Sequence, residues 1–373
     1  MLNLSGIPVA INAQTLPSES RSVDKGDMEL VVCNQCTHLF NKAFDPDKSN
    51  YDASYENSLH YSEHFQKHAK DLAQQLINEY DLKGATVAEA GAGPGHFLTL
   101  LCEEGVGKAY GFDPSYNADR LGAIEHASVT LSKKLFPADG SMNVKMAISQ
   151  HVMEHLTDPV ELLKILGKSI VDQPGGVIYS EMPNGDLMLE HCALWDLIYE
   201  HYSYFTAHSL SVALERAGLE SIKIGSFYGG QFLYSVSQLG GYESKKTSEG
   251  QTELAIETAV EFGKTALKQI VRARDELDEL CKIGPVALWG AGSKGMTYLN
   301  VVADDDQISA VIDVNPRKTG YCAPGTNYEI GPPESLRAIN PSTILIANPI
   351  YAAEISAQLE SIGIQADVKP LWN

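Results

Sequence analysis

The sequence predicts an α/β protein with two doubly wound, largely parallel sheets joined by a long helix and preceded by a small N-terminal module. Three observations carry this. A short apolar strand, Val87-Ala88-Glu89, runs into a turn with glycines at 91, 93 and 95, and from His96 the run HFLTLLCEEG has apolar residues at helical spacing. A second short strand, AYGFD, then ends at Asp113 and Pro114. The same order recurs near the C-terminus, where the strand PVALW meets the turn GAGSKG (290–295), a helix, and the strand ISAVID ending at Asp313. Between these landmarks strands and helices alternate, as a parallel sheet covered on both faces requires.

Composition narrows the class. The chain of 373 residues is long enough for two or three domains. Its net charge of −20 argues against a nucleic-acid scaffold, because phosphate contacts need a basic face. An anionic small substrate remains open where a few cations cluster. No apolar run approaches the ~18 residues of a membrane span. The opening MLNLSGIPVAINAQTLPSES has no basic stretch followed by an apolar block, so it does not read as a signal peptide. Six scattered cysteines suit a reducing compartment better than a disulfide framework. The expectation is a cytoplasmic monomer or homodimer with no nucleic-acid or membrane partner.

In chain order, residues 1–64 form the module. Met28 to Val32 alternates weakly and leads into Cys33-Asn34-Gln35-Cys36, which reads as half a zinc knuckle or as a redox pair. Zinc takes four ligands and no second CxxC exists, so two free thiols and no bound metal are expected. The stretch 51–64 is dense in tyrosine. Residues 65–239 form the first α/β domain, opening with a helix over 65–80. A strand over 144–148 delivers Gln150 and His151 to the carboxyl end of the sheet, where ligands gather. His155 follows His151 at helical spacing, but without a third ligand no metal is expected there. The next strand ends at residues 181–184. Then comes an aromatic cluster, Trp195 to Phe205, with Glu200 and His201 embedded among Tyr199, Tyr202 and Tyr204. Burial would shift the proton affinities of that acid and base, as in catalytic clefts.

A helix over 207–217 and an antiparallel hairpin, SIKIGSFYGG with QFLYSVSQ, close the domain. Residues 240–282 form a helical connector, and 283–373 the second α/β domain. Its cations Lys294, Arg317 and Lys318, with Asn348 after the strand TILIA, lie near strand ends and are expected to grip an anionic handle. The carboxylate of Asp113 can accept hydrogen bonds from both hydroxyls of a ribose.

The turn Glu89-Ala90-Gly91-Ala92-Gly93-Pro94-Gly95 resembles motif I of the class I S-adenosylmethionine-dependent methyltransferases, which have a Rossmann-like core. The resemblance implies S-adenosylmethionine as cofactor, with Glu89 toward its amino-acid end and Asp113 on its ribose. Gly91, Gly93, Gly95, Pro114, Gln150 and His151 would complete the pocket. In such enzymes the segment ahead of the first core helix often folds over the cofactor, so Tyr51, Tyr55 and Tyr61 are either lid residues or surface tyrosines packing a loop.

Taken over nearly the whole chain, the order of parts is similar to the sugar C-methyltransferase family, which methylates C3 of nucleotide-linked 4-keto-deoxysugars. The parts are the CxxC module, the core, an EHxSYF cluster, the long helix and the tail GAGSKG…IDVNPRKTG…PGT…ANP. Against that family's Tyr-His-Glu-His-Phe-Ser-Tyr-Phe motif, Glu200, His201, Ser203, Tyr204 and Phe205 match. Ile198 replaces the leading tyrosine, with Tyr199 next to it, and the family's first cysteine pair is missing. The resemblance implies methylation of a carbon next to a ketone. His201 would be the general base, oriented by Glu200, with Tyr204 or Tyr199 as hydrogen-bond donor to the enolate oxygen. Two other readings stay open from the residues alone. One is transfer to oxygen or nitrogen, and the other is an NAD-dependent oxidoreductase built on the second glycine turn.

Overall fold

Strands β1 (Leu2–Pro8), β2 (Lys25–Val32) and β3 (Leu39–Asn41) open the chain. β4 (Thr86–Ala90), β5 (Lys108–Phe112), β6 (Val129–Ser132), β7 (Met146–Gln150) and β8 (Val177–Pro183) follow, then a two-residue β9 (Ser203–Tyr204). β10 (Leu219–Phe227) and β11 (Phe232–Leu239) form the hairpin, and β12 (Val286–Trp289), β13 (Ala310–Ile312), β14 (Ile330–Gly331), β15 (Thr343–Ile346) and β16 (Asp367–Pro370) complete the set. These come from a computed structural model that describes residues 1–48, 59–117, 126–240 and 249–372. Tyr51 and Tyr55 lie outside the described residues.

The central sheet has seven strands in the order β10-β11-β8-β7-β4-β5-β6, parallel except for the β10–β11 hairpin and its junction with β8. Its inner strands are apolar on both faces because helices cover both. Val87, Met146, Ile148 and Tyr179 pack with the helices Glu63–Glu79 and His96–Glu103, while Ala88, Ala147 and Ile178 pack with Pro159–Lys168 and Ala207–Arg216. Local chemistry fixes the helix starts. Ser62 accepts from Phe65 N–H, Asp158 accepts from Glu161 N–H with Pro159 just inside, and Thr206 with Ser209 forms a reciprocal capping box.

The last sheet is wholly parallel, β14-β13-β12-β15-β16, and its two faces divide in the same way. Val286, Leu288 and Leu345 face one core, and Ala287, Trp289, Ile344 and Ile346 face the other. The helix Glu249–Ile283 is part of that first core. Ala259, Phe262, Ala266, Ile270, Ala273, Leu277 and Leu280 form its buried stripe, packed with β1, β2 and the last sheet. Among the described residues no helix is long and apolar enough to cross a membrane.

The N-terminal sheet, β1-β2-β3-β9, borrows its edge strand from residues 203–204, more than 160 positions downstream of β3. Sequence periodicity does not show this strand, because two residues are too few to display a period. The short or half-exposed β6, β14 and β16 escape it for the same reason.

Candidate active site

One cavity of about 1130 Å³ opens where the carboxyl ends of the two parallel sheets face each other. That volume exceeds what one drug-sized ligand fills, so it has room for a cofactor and a second molecule. Glu89, Gly91, Gly93, Asp113 and Pro114 line one side, with Gln150 and His151. Lys294, Arg317, Lys318 and Asn348 line the other. His201 reaches the wall between them, and Tyr61 lies at the margin. Gly95, Tyr199, Glu200 and Tyr204 stand back from the cavity.

On the first glycine turn, Asp113 Oδ2 accepts from Gly93 N–H at 2.8 Å, and Oδ1 accepts from Ser115 N–H at 2.7 Å and Ser115 Oγ at 2.6 Å. The carboxylate is thereby aimed before any ligand arrives. Gly91 and Gly93 have φ of 76° and 49°, the left-handed region that favours glycine. A Cβ at Gly91 would lie 2.2 Å from Val152 Cγ2, whereas one at Gly93 would meet nothing within 4 Å and would project into open space. Glu89 is 3% exposed, and its Oε2 has no hydrogen-bond partner among the described residues. Burial, and then the nearby Asp113 and Glu181, push its carboxyl up to about 8. A buried acceptor beside anionic neighbours suits a ligand that brings a cation. An ammonium group on a ligand would meet that demand, and a ribose diol would find acceptors on Asp113.

His151 sits at the end of β7 with φ 53°. Its Nδ1 lies 3.4 Å from Glu154 Oε1 and its Nε2 3.3 Å from Glu181 Oε1. Burial opposes charge on this ring, but the two carboxylates outweigh it and push its proton affinity up to about 10. For Glu154 burial works upward, yet His151 and then His155 hold it down at about 2. This ion cluster exists because β7 pairs with β8, bringing Gln150 opposite Glu181.

His201 is buried, and its Nδ1 lies 3.2 Å from the carbonyl oxygen of Asp196. A carbonyl only accepts, so Nδ1 carries the hydrogen and Nε2 the lone pair. Burial, with His155 adding to it, pulls the ring's proton affinity down to about 3, so it is neutral at working pH. His155 Nδ1 donates in the same way to Glu200 O at 2.9 Å. Ligating atoms of Glu154, His155 and His201 lie within 4.8 Å of one another. No metal was expected in this region of the sequence. His201 joins His155 and Glu154 from a loop 46 positions past His155, while His151 is not one of the three.

The other aromatic-cluster residues hold the loop. Glu200 Oε1 accepts from Ile11 N–H at 2.6 Å, and burial pushes its carboxyl up to about 8. Tyr199 Oη accepts from Asp45 N–H at 2.9 Å, and Tyr204 Oη donates to Ile198 O at 3.3 Å. Neither hydroxyl is brought to the cavity.

On the second glycine turn, Asp313 Oδ2 accepts from Ala291 N–H and Oδ1 from Asn315 N–H, both at 2.8 Å, mirroring Asp113. Lys318 is buried and donates to Ala291 O at 2.8 Å, which fixes that turn. Lys294 Nζ donates to Gln231 Oε1 at 2.8 Å and sits 5.1 Å from the Trp195 ring. Gln231 and Asn348 also exchange amide hydrogen bonds, 3.1 and 2.9 Å, so the hairpin of the first domain is tied to the second across the cavity. Sequence reasoning named neither Gln231 nor Glu154 as site residues. Both acquire a role only through partners distant in the chain.

A family model described as a methyltransferase domain matches residues 61–224, and one described as the C-methyltransferase C-terminal domain matches residues 243–366. The C-methyltransferase NovU of Streptomyces niveus is 24% identical over 353 residues, spanning 88% of this chain and 81% of that protein. Among solved structures, human N-acetylserotonin methyltransferase in complex with S-adenosylmethionine is 16% identical, covering 48% of this chain and 55% of its own, with a TM-score of 0.38. The 1,6-didemethyltoxoflavin-N1-methyltransferase of Burkholderia thailandensis is also 16% identical, covering 46% and 79%, with a TM-score of 0.37. With the two domains matched in order along it, the chain is an S-adenosylmethionine-dependent methyltransferase that carries a methyltransferase domain followed by a C-methyltransferase C-terminal domain.

Proposed function

We propose that the enzyme methylates a carbon next to a ketone on a nucleotide-linked deoxysugar or a similarly activated intermediate, with His201 as general base. The observation that carries this reading is the imidazole of His201 itself. It is neutral, fixed by Asp196 O in the tautomer whose lone pair is at Nε2, and it lines the cavity between the two glycine turns. S-adenosylmethionine, when bound, supplies an electrophilic methyl group, and Glu89, Gly91, Gly93 and Asp113 would hold it.

What the chain must add is the nucleophile. A carbon becomes nucleophilic when a base removes the proton beside the carbonyl, leaving an enolate. His201, with its proton affinity pulled down to about 3, is unprotonated before the reaction, and so weak a base takes the proton only if its imidazolium is stabilised as it forms. The imidazolium it becomes would be costly in so buried a position. Glu154, held ionised and within 4.8 Å, supplies compensating charge against burial and against His155, which both oppose the proton. Glu200, Tyr199 and Tyr204 act through the loop as positioning residues.

On the opposite wall, Lys294 and Arg317 are suited to an anionic handle such as a diphosphate, with Lys318 holding the glycine turn through Ala291 O and Asn348 tied to Gln231. Remote binding of this kind aligns the reacting carbon with the methyl donor.

The test is His201→Asn. S-adenosylhomocysteine affinity should stay near that of the parent, while turnover falls ~10²–10⁴-fold. In deuterated water with S-adenosylhomocysteine in place of the donor, the parent should exchange the proton beside the ketone of a 4-keto-sugar nucleotide, and the variant should not. A variant that exchanges and methylates at the parent rate refutes the base, and a parent that methylates without exchange refutes a carbon acceptor.

A further inference from the structure

The CxxC turn takes no part in the chemistry above. Cys33 follows β2, and Cys36 lies in the connection to β3. Cys33 N–H donates to His38 O at 2.8 Å and Thr37 N–H to Cys33 O at 2.9 Å, with Thr37 at φ 57°, so the turn closes tightly on itself. The turn sets the two thiols close enough that the proton affinity of each depends on the other. They are not equivalent, since Cys33 is half-buried and Cys36 fully buried. Among the described residues no third histidine, cysteine or carboxylate joins the pair within metal-binding reach, the one such group of three being Glu154, His155 and His201. A structural zinc needs four ligands, so this turn lacks the set.

Its surroundings favour a thiolate on the outer sulfur. Burial raises the proton affinity of Cys33, but N–H groups of Gln35 and Cys36, the Cys36 thiol and the cation of Arg216 together lower it below that of an ordinary thiol. For Cys36 burial dominates and the shift is upward. A half-buried, stabilised sulfur paired with a fully buried, protonated one is the division of labour of an attacking and a resolving cysteine.

We propose that Cys33 and Cys36 form a thiol–disulfide exchange site that reacts with low-molecular-weight disulfides of the glutathione type. The Cys33 thiolate attacks one sulfur of the disulfide, forming a mixed disulfide and expelling one thiolate. Cys36 then loses its proton to solvent and attacks Cys33 Sγ, closing the Cys33–Cys36 bond and expelling the second thiolate. Overall the protein gives up two electrons and two protons, and the small disulfide becomes two thiols.

The redox state of this turn bears on the catalytic loop. The turn runs through His38 directly into β3, whose Leu39 and Phe40 pair with Tyr204 and Ser203 of β9, which begins two residues past His201. His38 Nε2 lies 3.1 Å from Ser203 Oγ, and its ring centroid lies 4.8 Å from that of Phe205, with the planes tilted by 54°.

Full-length protein should first be assayed for zinc and then incubated, folded, with oxidised glutathione, with intact mass and peptide mapping as readouts. We expect no stoichiometric zinc, a Cys33–Cys36 disulfide that dithiothreitol reverses, and altered amide exchange over residues 38–41 and 201–205 in the oxidised form. Cys36→Ser should accumulate one glutathione on Cys33, and Cys33→Ser none on Cys36. About one zinc per chain lost on Cys33→Ser, or modification of the half-buried Cys281 ahead of Cys33, overturns the proposal. Amide exchange unchanged by oxidation overturns the link to the loop. If a serine variant does not fold, the order of modification in the parent protein, Cys33 before or after Cys281, decides the same question. No methyl acceptor enters these measurements, so their failure is separable from failure of the proposed reaction.

Discussion

Replacing Glu89 by glutamine should make the free protein more stable in alkali while weakening its grip on the cofactor. The carboxyl is buried and raised from 4.5 to about 8, by burial first and then by Asp113 and Glu181. Because the folded state holds this proton more tightly than the unfolded chain, the stability it contributes is fully present below pH 4.5 and is lost as pH rises toward 8. At ~1.4 kcal/mol per pH unit, a rise of that size corresponds to about 5 kcal/mol in all, of which about 4 falls between pH 5 and pH 8.5. Glutamine keeps the shape and never ionises, so subtracting its urea unfolding curve from the parent's at each pH isolates this residue, since the other titrating groups are common to both proteins. A ligand ammonium reverses the balance by stabilising the carboxylate. The parent should therefore release a proton on binding S-adenosylhomocysteine below pH 8, with affinity rising as pH rises. The variant should release none and bind more weakly by ~1.5–3 kcal/mol, as for a lost charged hydrogen bond. Calorimetry in two buffers of different ionisation enthalpy reads the proton count directly. If the stability difference between parent and variant is the same at pH 5 and pH 8.5, the reasoning about burial fails. If both proteins bind S-adenosylhomocysteine equally, Glu89 does not face the cofactor.

Further expectations concern other parts of the site. Gly91→Ala forces a methyl to within 2.2 Å of Val152 at a φ of 76°, so it should lower the melting temperature by an amount equivalent to ~1–3 kcal/mol. Gly93→Ala, whose methyl enters open space, should cost S-adenosylhomocysteine affinity more than stability, and equal effects from the two would refute the distinction. Lys294→Ala should raise the acceptor's KM more than it lowers kcat, because a handle is gripped equally in ground and transition states, and unchanged kinetics would remove it from the site. Asn41→Ala leaves the N–H groups of Glu29 and Ala43 without their acceptor, so it should cost ~1–3 kcal/mol per buried group in denaturation. It should also slow proton exchange on the acceptor while sparing S-adenosylhomocysteine affinity.

The cofactor half of the cavity was legible because its determinants are local. A glycine turn, an acid two residues ahead of it and a second acid at the next strand end all lie within residues 89–113, where strand and helix periods can be read directly. Gln150 and His151 followed from strand polarity alone. The half proposed to be catalytic was legible only in its members. Glu200 and His201 stood out as ionisable groups among aromatics, but their side chains part company, one to Ile11 N–H and the other to the cavity wall. Periodicity cannot assign such directions in a loop with no repeat. Glu154 and Glu181 gained meaning only when β7 and β8 paired and His151 came between their carboxylates. The borrowed strand β9 joins positions that no local pattern relates.

That borrowed strand explains why the proposed catalytic histidine can be held so firmly on a loop. The segment from Asp196 to Tyr204 is gripped from three directions. The N-terminal module supplies Ile11 N–H to Glu200 and strand β3 to β9. The methyltransferase domain supplies His155 to the carbonyl of Glu200. The C-terminal domain supplies half-buried Lys294, whose proton affinity desolvation lowers and the charge of Asp196 raises. Asp196 in turn gives His201 its tautomer through a main-chain carbonyl, which is insensitive to pH, whereas a side-chain carboxylate in its stead would titrate. A base positioned by main chain from a loop shared among three sheets is assembled only when all three are folded together. On the proposed mechanism, deprotonation of a carbon acid is thereby confined to the intact enzyme, with cofactor and handle bound on opposite walls of one cavity.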